Sequence, residues 1–135
     1  MPVTIKCVSI NAQGLNSPSK RHSLLRWAYK LKTDILFVQE THFTTQRTFT
    51  LTNRYYNRSY LASSPNTKTK GVAILIRSSC PITGIHSTAD PQGRFLTITG
   101  YIGTNQYAFS TIYAPTTSDP NFWPLYSTHL RAYTN

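Results

Sequence analysis

Asp34-Ile-Leu-Phe-Val-Gln-Glu40-Thr-His42 sets an unbroken apolar run against a single carboxylate. Ile35, Leu36, Phe37 and Val38 show no polar alternation, the pattern of a strand buried on both faces in an α/β protein. Gln39 and Glu40 then leave the sheet at its carboxyl end. Open α/β sheets bind ligands in the crevice beyond those ends, so Glu40 is placed for chemistry, although a charged residue at a strand exit is also ordinary solvated surface.

Upstream, residues 3–10 are rich in β-branched side chains and read as a first strand, which Asn11-Ala12-Gln13-Gly14 ends by presenting Asn11. Ser17 caps a helix with Pro18 at its first position, and Leu24, Leu25, Ala28 and Leu31 recur at helical spacing. The other helix face carries Lys20, Arg21, Arg26 and Lys30, which reads as a solvated surface or as a phosphate contact. Strand, helix and strand in this order make a βαβ unit, and its right-handed crossover leaves the two strands parallel. If they are neighbours, Asn11 and Glu40 leave one edge of the sheet with backbones ~5 Å apart, close enough to share a ligand.

Downstream, residues 41–53 are polar and Thr-rich and read as a loop with a short helix. Residues 55–62 and 71–77 read as a hairpin whose connection, 63–70, carries Lys68 and Lys70. Tyr55, Tyr56 and Tyr60 are packing residues or platforms for bases. A short strand covers 82–86 and Asp90-Pro91-Gln92-Gly93 makes a turn. Residues 94–101 and 106–113 form a second hairpin around Gly103-Thr104-Asn105, with Tyr113 at its end. Asp119-Pro120 starts a last helix with Trp123, Leu125, His129 and Leu130, and Pro124 falls within its first turns.

The 135 residues fit one domain with one core. Fourteen Lys and Arg stand against four acids, a formal charge of +10 that points to a polyanionic partner. A field of that size supports sequence-independent nucleic-acid binding at ~10⁻⁴ to 10⁻⁶ M, weakening steeply with salt. Cys7 and Cys80 belong to no Cys-x-x-Cys pair and lie in apolar stretches that would bury both as small hydrophobes, which fits a reducing compartment. The amino terminus has no secretory pattern and no apolar run is long enough to span a bilayer. The expected protein is intracellular, nuclear or cytoplasmic, and neither secreted nor membrane-bound. His22, His42, His86 and His129 form no metal-ligand spacing.

Ser9-Ile10-Asn11-Ala12-Gln13-Gly14-Leu15-Asn16, Val38-Gln39-Glu40-Thr41-His42, Gly71-Val72-Ala73-Ile74-Leu75-Ile76 and Thr111-Ile112-Tyr113-Ala114-Pro115, in this order, resemble the endonuclease/exonuclease/phosphatase superfamily. Asn16-Ser17-Pro18 followed by Lys20-Arg21-His22 is similar to the apurinic-type endonuclease domain of non-LTR retrotransposons. The resemblance implies the amino-terminal part of a two-sheet α/β sandwich, an α+β arrangement, with residues 1–135 forming an incomplete domain of that kind. It implies that Glu40 ligates a divalent ion, Mg²⁺ or alternatively Mn²⁺. Asn11 would sit beside the ion as a second ligand and orienting group, and Tyr113 would donate its hydroxyl to the phosphate. A hard cation held by few carboxylates polarises a phosphodiester, and fixed donors stabilise charge developing on its oxygens. DNA is the implied partner, with Lys68, Lys70 and Arg21 as backbone contacts.

The departures from the family pattern are specific. Gln13 stands where related domains often have Asn. The later Gly-Asp-Phe-Asn motif and the closing Asp-His pair have no counterpart, and no acid follows Asp119. The expectation is therefore part of a Mg²⁺-dependent DNA endonuclease, inactive alone, with an apolar sheet surface left open for the missing carboxyl-terminal part or another chain. The alternative is a basic nucleic-acid-binding module without catalysis. A phosphatase of the same superfamily fits the basic charge less well.

Overall fold

The computed structural model describes residues 3–114 and 119–133. Its elements run β1 (Cys7–Asn11), α1 (Pro18–Lys30), β2 (Ile35–Gln39), β3 (Arg58–Ala62), β4 (Val72–Ile76), β5 (Ile82–Ala89), β6 (Phe95–Ile102), β7 (Asn105–Ile112) and α2 (Phe122–Arg131). They form a four-stranded mixed sheet, β1-β2-β4-β3, and a three-stranded antiparallel sheet, β5-β6-β7.

β2 lacks polar alternation because both its faces are covered. Leu36 and Val38 join Leu24, Leu25 and Ala28 of α1 in one cluster, while Ile35 and Phe37 face the second sheet in the other. β4, with all five residues buried, sits between β2 and β3 and serves both clusters in the same way. A fully buried Ile or Leu contributes roughly 1.5–3 kcal/mol, so β2 and β4 together anchor the sandwich. Leu96 and Ile98 of β6 supply the facing wall.

α1 begins as the sequence implies, with Ser17 Oγ accepting from Lys20 N–H and Pro18 in the first turn. Its crossover leaves β1 and β2 parallel and adjacent, with Asn11 opposite Gln39. Both hairpins form. The two-residue turn Gly103-Thr104, with Gly103 at φ 64°, joins Ile102 to its cross-strand partner Asn105. α2 packs on the outer face of the second sheet through Phe95 and Thr97.

Several boundaries differ from expectation. The first strand starts at Cys7 rather than Val3. β3 starts at Arg58, because Tyr56 turns inward to give its hydroxyl to Thr33 O while Tyr55 packs at a tilt against Tyr29. These two tyrosines are packing residues. Residues 41–53 contain no helix; Phe43 and Leu51 are fully buried and pin an irregular loop, closed by the Thr44–Arg47 bridge. β5 extends to Ala89, and α2 starts at Phe122, so Pro124 sits in its first turn where no intrahelical donor is lost.

Cys80 is buried as expected, whereas Cys7 is exposed. Cys7 faces the second-sheet side of β1, and that sheet ends over β2, one strand short of covering it. Among the described residues no helix is long and apolar enough to cross a membrane.

Candidate functional site

The carboxyl ends of β1, β2 and β7 come to one end of the sandwich. Parallel pairing puts Asn11 and Gln39 level, and Gln39 Nε2 donates to Thr111 Oγ1 across the gap between sheets, 2.8 Å away. Asn11 and Glu40 therefore meet: Asn11 Nδ2 donates to Glu40 Oε2 at 2.5 Å, and Asn11 Oδ1 accepts from Gln13 N–H at 3.0 Å. Tyr113 lies two residues past Thr111, on the same face of its strand. Its N–H donates to Arg94 O and its ring packs against the intersheet cluster.

His42 is the site residue that ligand-spacing arguments passed over. Its Nε2 lies 3.3 Å from Glu40 Oε1, so Asn11 and His42 hold the two carboxylate oxygens from opposite sides. Glu40 stays about a quarter exposed (24 %), leaving the remaining lone pairs open to a ligand. The available signal was the i,i+2 spacing of Glu40 and His42.

The backbone of this loop is unusual. Glu40 and His42 have φ of 58° and 62°, a left-handed conformation costing roughly 1–3 kcal/mol at each non-glycine residue unless its surroundings impose it. Four hydrogen bonds do so. Glu40 O and Thr41 O accept from Gly14 and Leu15 N–H (2.7 and 2.8 Å), while Thr41 and His42 N–H donate to Gly71 O and Lys70 O (3.0 and 2.8 Å). The loop after β1 and the loop before β4 thus clamp the carboxylate from two sides. Both clamps use glycine at positive φ, 97° at Gly14 and 102° at Gly71. A Cβ on Gly14 would stand 2.7 Å from His42 Nδ1, and one on Gly71 would run into Thr41 Oγ1.

The basic loop 63–70 is part of this wall, with Lys68 exposed and Lys70 partly buried beside His42. Arg21 is placed differently. Its Nη1 donates to Leu15 O and Asn16 O, both at 2.9 Å, and its guanidinium lies over the Phe49 ring at 4.1 Å, so it braces the loop that carries Asn11. Lys20, one residue earlier, reaches Gln13 O at 3.1 Å and stands closer to the Asn11 turn.

The other three acids are committed elsewhere. Asp34, at the opposite end of β2, accepts from Lys6 N–H, and Asp119 from Asn121 N–H ahead of α2. Burial alone would push the Asp90 carboxyl up, but Arg94, bonded to both its oxygens at 2.7 and 3.2 Å, holds it below the ordinary value. Among the described residues no three His, Cys, Asp or Glu side chains gather as a metal-ligand group. Glu40 is a lone carboxylate between two nitrogen donors.

The endonuclease domain of TRAS1, a telomere-specific non-LTR retrotransposon, superposes with a TM-score of 0.66 at 12 % identity, over 98 % of this chain and 54 % of that one. The Xenopus laevis APE2 catalytic domain gives 0.59 at 20 % identity, over 94 % and 50 %. At such identities the likeness is one of fold, and this chain spans about half the length of either neighbour. The model of the Endonuclease/Exonuclease/phosphatase family matches residues 8–132, nearly the whole sequence and every strand that meets at Glu40, and the chain belongs to that family.

Proposed function

We propose that the chain carries the Glu40 part of a Mg²⁺-dependent DNA phosphodiesterase site, binds DNA through the basic loop beside it, and does not cleave DNA by itself. The observation that carries this reading is the Asn11–Glu40–His42 cluster, held in a strained loop between Gly14 and Lys70. Strain imposed by surrounding hydrogen bonds is a feature of functional sites rather than of solvated surface.

The donor set fits a hard, largely hydrated ion, which takes one or two carboxylates and keeps several waters. Glu40 and Asn11 would hold Mg²⁺, or Mn²⁺, which when bound supplies polarisation of a phosphate oxygen. The chain's own groups orient the substrate: Lys68 and Lys70 hold backbone phosphates, Tyr113 at the same end of the sandwich gives its hydroxyl to the target phosphate, and His42 keeps the Glu40 carboxylate turned outward. No carboxylate other than Glu40 stands in this set to take a proton from the attacking water. A general base contributes ~10² to 10⁴ in rate, and the remaining acids, Asp34, Asp90 and Asp119, are tied to other partners.

Those commitments also favour the second reading, a basic module that binds nucleic acid without cutting it. Calorimetry with Mg²⁺ and a supercoiled-plasmid assay separate the two. The nuclease reading expects millimolar binding lost in Glu40→Gln and no nicking by the chain alone. Nicking by the purified chain, abolished by Glu40→Gln, would show that another residue supplies the base; Mg²⁺ binding indifferent to Glu40 would leave the binding module.

A further inference from the structure

A second group of cations gathers at the end of the four-stranded sheet remote from Glu40. β2 leaves Asp34 and Glu40 roughly 20 Å apart. Antiparallel β4 brings Arg77 back to the Asp34 end, where its N–H donates to Asp34 O at 2.8 Å. The last turn of α1 and the loop ahead of β3 meet there. Tyr29 and Tyr55 pack with ring centroids 4.0 Å apart; the Arg54 guanidinium lies over the Tyr55 ring at 4.7 Å, and that of Arg77 over the Tyr29 ring at 5.2 Å. Ser78 ties the loop down, its N–H donating to Tyr55 O at 2.7 Å and its Oγ to Arg54 O at 2.8 Å. Lys30 and Lys32 are exposed beside this cluster, with Lys32 N–H bonded to Tyr29 O, and Lys6 Nζ reaches Leu31 O at 2.6 Å.

Like charges at that density repel. Asp34 is the acid at this end, and its carboxylate accepts from Lys6 N–H; among the described residues no carboxylate lies within ion-pair distance of Lys30, Lys32, Arg54 or Arg77. Contact with the tyrosine faces offsets part of the repulsion and fixes two planar guanidiniums, whose remaining edge N–H groups suit phosphate oxygens. We infer that this end is a second nucleic-acid site, separate from Glu40, in which Arg54 and Arg77 grip backbone phosphates and Lys30 and Lys32 extend the contact. Charge complementarity selects a polyanion: one supplies the counter-charge that the chain itself lacks here. The choice of nucleic acid among polyanions rests on the function proposed above, whereas the site does not. Because the two sites lie at opposite ends of the sheet, the second takes a different segment from the one beside Lys68 and Lys70.

Lysine acylation followed by mass spectrometry reads the two ends separately in the full 135-residue chain, with exposed Lys30 and Lys32 reporting one and exposed Lys68 the other. The probe is a single-stranded DNA of about 12 nucleotides and mixed sequence. At low salt it should slow acylation of Lys30 and Lys32 about fivefold. Arg54→Lys combined with Arg77→Lys keeps the charge but removes the planar forks, so that protection should be lost while Lys68 is affected as in the unaltered chain. Should the pair lower the melting temperature, Arg54→Lys alone, at an exposed side chain, should still weaken the protection. Absence of protection at Lys30 and Lys32 overturns the proposal. So does protection that survives these substitutions, which would mark diffuse charge rather than a built site. Protection by vesicles carrying phosphatidylinositol phosphates, with none by DNA, overturns the choice of nucleic acid. Protection of Lys30 and Lys32 with Lys68 unaffected supports this site and counts only against the DNA contacts proposed beside Glu40.

Discussion

Glu40 is held by contacts to groups far from it in sequence, and its position is therefore sensitive to residues that bear no charge. Gly71 is the sharpest case: alanine there meets both a φ of 102° and the Thr41 side chain. Gly71→Ala should destabilise the chain by about 1–3 kcal/mol in urea unfolding, and Gly14→Ala, with φ 97°, should do likewise while also pushing the His42 ring away from Glu40. A loss under 0.5 kcal/mol at both would mean that the loop relaxes freely and that the strain is not structural. The meeting of Asn11 and Glu40 was legible in the sequence because a βαβ unit determines strand direction. The contact of His42 was not, because the four histidines have no metal-ligand spacing and the partner of His42 is a carboxylate in its own loop.

At the scale of elements, α2 is the helix whose attachment should depend on pH. It holds the second sheet through His129, whose Nε2 is 2.7 Å from Thr97 Oγ1 and whose ring packs on Phe95, with Tyr126 bonding Ser110 beside it. Burial pushes the His129 imidazole below its ordinary value, against the opposing pull of Asp90. A His depressed in the folded state is neutral in both states at high pH. As pH falls through the unfolded value of about 6.5, the unfolded chain takes a proton that the folded one resists, so stability falls with it. Asp90, also depressed, adds a loss of the same sign at lower pH. Melting temperature should therefore drop between pH 7.5 and pH 5.5, and His129→Gln should flatten that slope; an unchanged slope in the variant would place the titrating group elsewhere. The hairpins were legible because their turns are local. The absent helix in 41–53 was not, since Phe43 and Leu51 are held by tertiary burial that outweighs local preference.

Under the proposed function, the charge of +10 over the whole molecule and the Lys68–Lys70 loop at the Glu40 end would make DNA affinity a matter of counterion release. If ~4 to 6 phosphates are neutralised, log affinity against log salt should have a slope of about −4 to −5, measured by fluorescence anisotropy with DNA of unrelated sequences. A flat response would rule out phosphate contacts as the source of binding. Because Arg21 is already bonded to two carbonyls, Arg21→Gln should cost stability more than salt dependence, whereas Lys68→Gln should lower the slope by about one.

By itself the sequence determined what local rules control: the buried two-faced strand at residues 35–38, the capped helix behind Ser17, the parallel start that sets Asn11 beside Glu40, both hairpins, and the family motifs in their order. Only the tertiary structure decided which strands are edges, and with them the exposure of Cys7, the bracing role of Arg21, the clamp of Gly14 and Gly71 on the carboxylate loop, and the contact of His42 with Glu40. Periodicity, caps and turns act over a few residues and are written in neighbouring positions. Edge status and site geometry arise from contacts between segments tens of residues apart, and those exist only once the two sheets have stacked.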